Sequence, residues 1–228
     1  MLAKFKAHWK KILIMLLVSI LGGTGFGYYK WVTRVIPEEL LPEAINKTIN
    51  VDSYRYQVAL KLNVNGQERL LSHVKGERSK GRFHIQGEVA AQEVDVYYVN
   101  NKVFMKDSVS GRWMINHGGE IFERDLFMIE VNPKESLGYL QLDNIVYLGI
   151  EKGHRSAYVM EYNPVVTNKM LTTYWEDFKY KVWIDKKSKR IIKLEINAHH
   201  KDNPENTFYM LLGMYDFGKR IKIEEPAN

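Results

Sequence analysis

Between residues 54 and 64 the chain alternates. Tyr54, Tyr56, Val58, Leu60, Leu62 and Val64 share one face, while Arg55, Gln57, Lys61 and Asn63 share the other. A period of two predicts a strand with one buried face. Asn65-Gly66 follows, and because both residues tolerate positive φ the pair predicts a two-residue hairpin. The return strand sets Leu70 and Val74 against Leu71 and His73, and residues 82–90 alternate again with Phe83, Ile85 and Val89 on one side. Residues 94–99 and 102–106 form a further hairpin across Asn100-Asn101, and a turn at 107–111 leads to Trp113 and Ile115.

Later segments repeat the pattern. Strands are expected at 145–152 and 157–162, the second ended by Asn163-Pro164. Phe178, Tyr180, Val182 and Ile184 alternate with polar neighbours, and Ile192, Leu194 and Ile196 do the same after a turn at 186–189. Residues 208–217 are apolar on both faces, as in a central strand or a strand touching a helix. Nine to eleven short strands joined by turn residues predict an antiparallel meander.

Three stretches carry a helical period instead. Pro37 opens one in which Leu40, Leu41, Ala44, Ile45 and Ile49 form a stripe, with acids at its start and Lys47 near its end. A second spans 121–131 and restarts at Asn132-Pro133 to run through Leu142; a third, short one covers 167–173. The expectation is one or two helices covering a face of the sheet.

Residues 12–29 are different in kind: eighteen positions without a charge, after a leader holding Lys4, Lys6, Lys10 and Lys11. At about 1.5 Å per residue a helix of that length spans roughly 27 Å, close to a bilayer's hydrocarbon core. Lysines ahead of the run predict a cytoplasmic N-terminus, and Tyr28, Tyr29 and Trp31 fall where an aromatic belt would meet the outer interface. The expected organisation is a basic leader (1–11), a transmembrane signal-anchor (12–29), a linker (30–37) and one extracytoplasmic domain (38–228). Removal as a signal peptide is the competing reading, with Gly22-Gly23-Thr24-Gly25 supplying small residues for cleavage.

Net charge changes little. The chain carries +6, but the first 29 residues hold four lysines and no acid, so the remainder is nearly balanced. That removes most of the case for nucleic acid, and no clustered basic face replaces it. Absence of cysteine excludes disulfides, thiolate metal sites, a cysteine nucleophile and a lipid-attachment cysteine.

Candidate chemistry is sparse. His199-His200 is the one adjacent histidine pair; neighbours on a strand point to opposite faces, so the pair reads as a solvated strand end, with a weak surface metal site only if the strand has ended before it. Glu120, Glu123, Asp125 and Glu130 cluster as a helix surface would, and 186–190 reads as a solvated basic hairpin tip near lipid headgroups at most. Asn46-Lys47-Thr48 matches a glycosylation acceptor. No nucleophile elbow, zinc-protease helix or phosphate-binding loop is present, so no enzyme and no cofactor is expected. Aromatics are the informative excess at 12% of residues. They fit an ordinary sheet core under a helix, or a concave sheet larger than its helices fill, which leaves an apolar cavity.

The C-terminal third carries a resemblance. Val182-Trp183-Ile184-Asp185-Lys186-Lys187 with Ile191-Ile192-Lys193-Leu194 resembles the late hairpin of LolA-like and LppX-like envelope lipid-carrier domains. Tyr215-Asp216-Phe217-Gly218-Lys219 with Ile221, Ile223 and Pro226 looks like their closing strand, and the Ser53-Tyr54-Arg55 strand start and Gly111-Arg112-Trp113 agree. The resemblance implies an α+β fold: a curved antiparallel half-barrel of about nine to eleven strands with two or three helices on its concave side. It implies a lipid or lipid-like ligand in the cavity between them, and Tyr54, Tyr56, Val58, Leu60, Phe83, Ile85, Trp113, Phe178 and Tyr180 are the residues expected to line it. The alternative is a ligand-free interaction or stress-sensing module acting on another envelope protein.

Overall fold

The structure, a computed structural model, describes residues 35–117 and 133–227. The chain divides into two compact units, Met1–Ile36 and Pro37–Asn228, and every element below belongs to the second. Among the described residues no helix is long and apolar enough to cross a membrane; the apolar run 12–29 and the acidic cluster 120–130 lie outside them.

Helix α1 (Pro37–Ile49) leads into β1 (Ser53–Val64), β2 (Gln67–Ser79), β3 (Arg82–Val89), β4 (Gln92–Val99), β5 (Lys102–Lys106) and β6 (Trp113–His117). A single 3-10 turn (Pro133–Leu137) precedes β7 (Tyr139–Glu151) and β8 (Ala157–Val166). Then follow the short helix α2 (Lys169–Tyr174), β9 (Trp175–Asp185), β10 (Ile191–His200) and β11 (Thr207–Tyr215). All eleven strands form one antiparallel sheet in the order β6-β5-β4-β3-β2-β1-β11-β10-β9-β8-β7. Two meanders, β1–β6 and β7–β11, are thus joined through β1 and β11, paired from Arg55↔Tyr215 to Asn63↔Thr207. The sheet is open, with β6 and β7 as its edges.

The turns follow local chemistry. Asn65 and Gly66 both have positive φ (54° and 78°), the twist-matched hairpin geometry their identities predict. Asn100 and Asn101 repeat it at 53° and 61°. The apolar stretch beginning at Phe208 resolves as β11, a central strand flanked by β1 and β10 that ends at Tyr215.

Three expectations are corrected. The helix expected from Pro133 to Leu142 stops at Leu137 as a 3-10 turn; Gly138 ends it and the strand begins at Tyr139. Strand β8 does not end at Asn163-Pro164 but continues to Val166. There Asn163 Nδ2 donates to the Phe178 carbonyl at 2.9 Å, serving an acceptor that Pro164, lacking an N–H, leaves open. The expected closing strand ends at Tyr215, and residues 216–227 instead cross the sheet end as an irregular strap.

Helix α1 closes one face of the sheet with Leu40, Leu41, Ala44 and Ile45. It contains Pro42, which removes one backbone bond, so burial rather than propensity holds it. Thr48 locks the contact: its buried hydroxyl donates to Ala44 O at 2.7 Å and accepts from Ile191 N at 2.9 Å. Within Asn46-Lys47-Thr48 the amide of Asn46 that would carry a glycan is exposed, whereas the Thr48 hydroxyl of the motif is buried.

Candidate functional site

Strand pairing assigns every inward side chain to a face. Tyr56 pairs with Met214 and Gly76, Val58 with Leu212 and Val74, and Leu60 with Met210 and Ser72. Carried outward, the same face holds Phe83 and Ile85 on β3, and Leu194, Ile196, Val182 and Tyr180 on β10 and β9. Of the nine side chains expected to line a cavity, eight therefore share the face that α1 covers, and all eight are buried. Trp113 is the exception. It pairs with Lys106, next to the Phe104↔Ile115 pair, and packs on the opposite face against Val99, Phe104, Ile221 and Ile223. The irregular loop 107–112 breaks the alternation that would have carried its parity from β5.

Two tyrosine-rich patches flank the middle of the covered face. Tyr54 and Tyr56 lie 5.7 Å apart, centroid to centroid, with Phe217 beyond Tyr54; Tyr162, Tyr180 and Phe178 form the other, Tyr162 and Tyr180 5.4 Å apart. Strands β11 and β10 separate them, so the gap is roughly 14 Å at about 4.8 Å per strand. Met210, Leu212, Met214, Leu194 and Ile196 floor that gap. Tyr162, Met160 and the methionines were not anticipated as site residues; the alternation of Tyr158, Met160 and Tyr162 carried that signal, whereas the two-sided apolarity of 208–217 hid it.

Polar atoms on this face are few, and its charges sit at one end, where Arg78 pairs with Tyr54 and Phe83 and lies 5.6 Å from the Phe83 ring centroid. Burial pushes the Tyr54, Tyr162 and Tyr180 phenols well above their ordinary range, so all three stay protonated donors. Among the described residues the buried Tyr180 and Ser136 hydroxyls have no hydrogen-bond partner. Lys134 closes the end beside Tyr54: its Nζ donates to Ile49 O at 2.6 Å and Val51 O at 2.8 Å and sits 5.1 Å from the Tyr54 ring centroid. Burial and the nearby Arg78 charge lower its pKa.

Two cavities lined by described residues open elsewhere. One of about 560 Å³ is rimmed by Gln86, Glu88, Glu93, Asp95, Lys106 and Asp107 on the outer face, too polar for a hydrocarbon chain. A second, about 300 Å³, lies over Gln57, Ala59, Leu211 and Gly213; of the nine expected residues only Val58 touches either. His84 pairs with Asp95 at 2.9 Å and stacks on Tyr97, an outer-face contact with no nucleophile beside it. Among the described residues no group of histidines and carboxylates is arranged to hold a metal ion, and His199 and His200 face apart, toward Pro204 O and Trp175.

No family model and no curated protein matches the sequence. Solved structures do. The chain is similar to LprF from Mycobacterium bovis at 12% identity, covering 84% of this chain and 97% of that one with a TM-score of 0.62. A LolA superfamily protein, NE2245 from Nitrosomonas europaea, aligns over 83% of this chain and 96% of its own at 13% identity and a TM-score of 0.36. MucB, solved in complex with MucA(peri), aligns over 77% of this chain and 56% of its own at 10% identity and a TM-score of 0.35. The chain has a LolA/LppX-like fold.

Proposed function

We propose that this chain is an envelope lipid-handling protein: a membrane-tethered extracytoplasmic domain that takes a lipid or other apolar ligand on the α1-covered face of its sheet. The observation that carries the reading is the composition of that face. From β3 to β8 it is apolar and aromatic apart from Ser72 and Arg78 on β2, its ionisable phenols are held neutral, and the Tyr180 hydroxyl has no hydrogen-bond partner among the described residues. A buried donor without an acceptor is costly, by about 1–3 kcal/mol, and a ligand carbonyl relieves it. The shared fold with LprF supports the same reading. In this proposal residues 12–29 stay uncut as the anchor, with the lysine leader in the cytoplasm, which makes the domain a local handler rather than a diffusing carrier.

Native mass spectrometry of the full chain released from detergent tests both parts at once. The expected spectrum shows the uncut mass plus a reproducible lipid-sized adduct. A mature start near Phe26 overturns the tether, and a chain that carries no lipid after purification from membranes overturns the ligand. The second outcome favours an interaction module, for which the exposed Leu140, Val146 and Leu148 on edge strand β7 offer a pairing surface.

A further inference from the structure

The two turns at the β7–β8 and β9–β10 connections sit side by side, with Lys186 N donating to Ser156 O at 3.1 Å. Between them they gather Lys152, Arg155, Lys186, Lys187, Lys189 and Arg190. None of the ion pairs among the described residues uses any of these six cations. The acids nearby are otherwise engaged. Glu151 accepts from Trp183 Nε1 at 2.8 Å, and Asp185 accepts from the Ser188 backbone and hydroxyl, both at 2.7 Å, with Arg155 the nearby charge that helps hold it ionised. Residues 37–228 hold twenty-seven basic and twenty-seven acidic side chains. The two turns with Glu151 and Asp185 therefore carry a local +4 that the remainder balances with −4.

Aromatic and apolar groups sit directly behind this charge. Lys186 and Lys189 lie 5.4 and 4.4 Å from the Tyr158 ring centroid, and Lys181 and Lys193 flank Trp183 at 5.4 and 3.9 Å. On the adjoining edge strand Leu148 and Ile150 are each 47% exposed. Cations ahead of ring systems and exposed aliphatics are what a membrane interface selects, since lysines reach phosphates while their stems and the rings stay among glycerol and first methylenes.

We infer that this pole of the sheet docks on an anionic lipid surface, through the turns 152–156 and 186–190 and the apolar shoulder of β7. The inference does not require a ligand on the covered face; of its six cations only Arg190 also lies over a ring of that face, 5.7 Å from the Phe217 centroid. It orients the domain: β7–β11 meet the bilayer by the end at which β10 begins, and the acidic end bearing the β5–β6 loop points away. Attraction of this kind is worth roughly fivefold in affinity per cation and fades within a Debye length, so it must be salt-sensitive.

The test uses the full chain in nanodiscs, of phosphatidylcholine alone or mixed with phosphatidylglycerol, read by amide hydrogen exchange. Exchange at 152–156 and 186–190 is expected to slow several-fold in the anionic discs at about 0.05 M salt and to recover at about 0.5 M. The double variant Lys186→Glu, Lys187→Glu abolishes the protection while exchange in β9–β11 stays as in the parent. Arg69→Glu with Arg112→Glu, an equal charge change at the other end, leaves the protection in place. Identical exchange in both discs overturns the inference, as does protection reproduced by inorganic phosphate over phosphatidylcholine, which would make the turns a free-anion site.

Discussion

Tyr56 is fully buried, and its ring lies over Gly76, its direct partner across β1 and β2. A Cβ built at Gly76 collides with the Tyr56 ring and hydroxyl. Alanine in a strand would by itself be favoured over glycine by about 0.5–1 kcal/mol. The collision decides the sign, because a fully buried ring has nowhere to swing. Gly76→Ala is expected to lower unfolding stability by about 1–3 kcal/mol in denaturant titration, and Tyr56→Leu in the same chain to recover most of it. An unchanged midpoint for Gly76→Ala would show that the ring is not held. That Tyr56 points inward was legible from the alternation alone. That Gly76 is its slot was not, because the pairing depends on a register shift between Leu60 and Lys61 that no local pattern announces.

Elements show where reading a chain locally succeeds and where it stops. Strands with a polar face, such as β1, β9 and β10, were legible because one buried face imposes a period of two. The segment 133–142 misled because Asn132-Pro133 reads as a helix start and nothing local ends the helix before Leu142; the register with β8, irregular between Tyr139 and Leu142, settles the part from Tyr139 onward as strand. The C-terminal strap misled differently. Ile221 and Ile223 alternate as in a strand, yet they bury one side against Val99 and Phe104 with no neighbouring strand to pair with. Arg82 Nη1 reaches Ile223 O at 3.3 Å, and Ser53 Oγ donates to Lys219 O at 2.8 Å, so the strap spans from β1 to β5. Ile223→Ala is expected to cost about 2–4 kcal/mol by denaturant unfolding. Glu225→Gln, which touches only the exposed Asn100 contact, is expected to cost under about 0.5 kcal/mol. Equal, small effects for both would mean that the strap contributes no core.

At the scale of the whole molecule the covered face makes stability a function of alkaline pH. Tyr54, Tyr162 and Tyr180 keep their protons in the folded chain because burial raises their pKa values, while in the unfolded chain they ionise near 10. A folded-state pKa above the unfolded one means stability fully present below about pH 10 and lost as pH rises beyond it. By pH 11 each such phenol favours the unfolded chain by about 1.4 kcal/mol, so the three together cost roughly 4 kcal/mol, a large part of a typical domain's margin. Phenolate absorbance should rise in two phases: the exposed tyrosines near pH 10, then a cooperative step coinciding with loss of the β-sheet circular dichroism. Tyr180→Phe separates this linkage from generic alkaline damage. Its hydroxyl has no partner to lose among the described residues, so stability of the lipid-free chain at pH 7 is expected to hold or rise slightly, while about a third of the alkaline loss disappears. A single phase completed near pH 10 without unfolding would mean that water reaches these phenols. The covered face would then be a wet groove and not the dry interior that an apolar ligand requires.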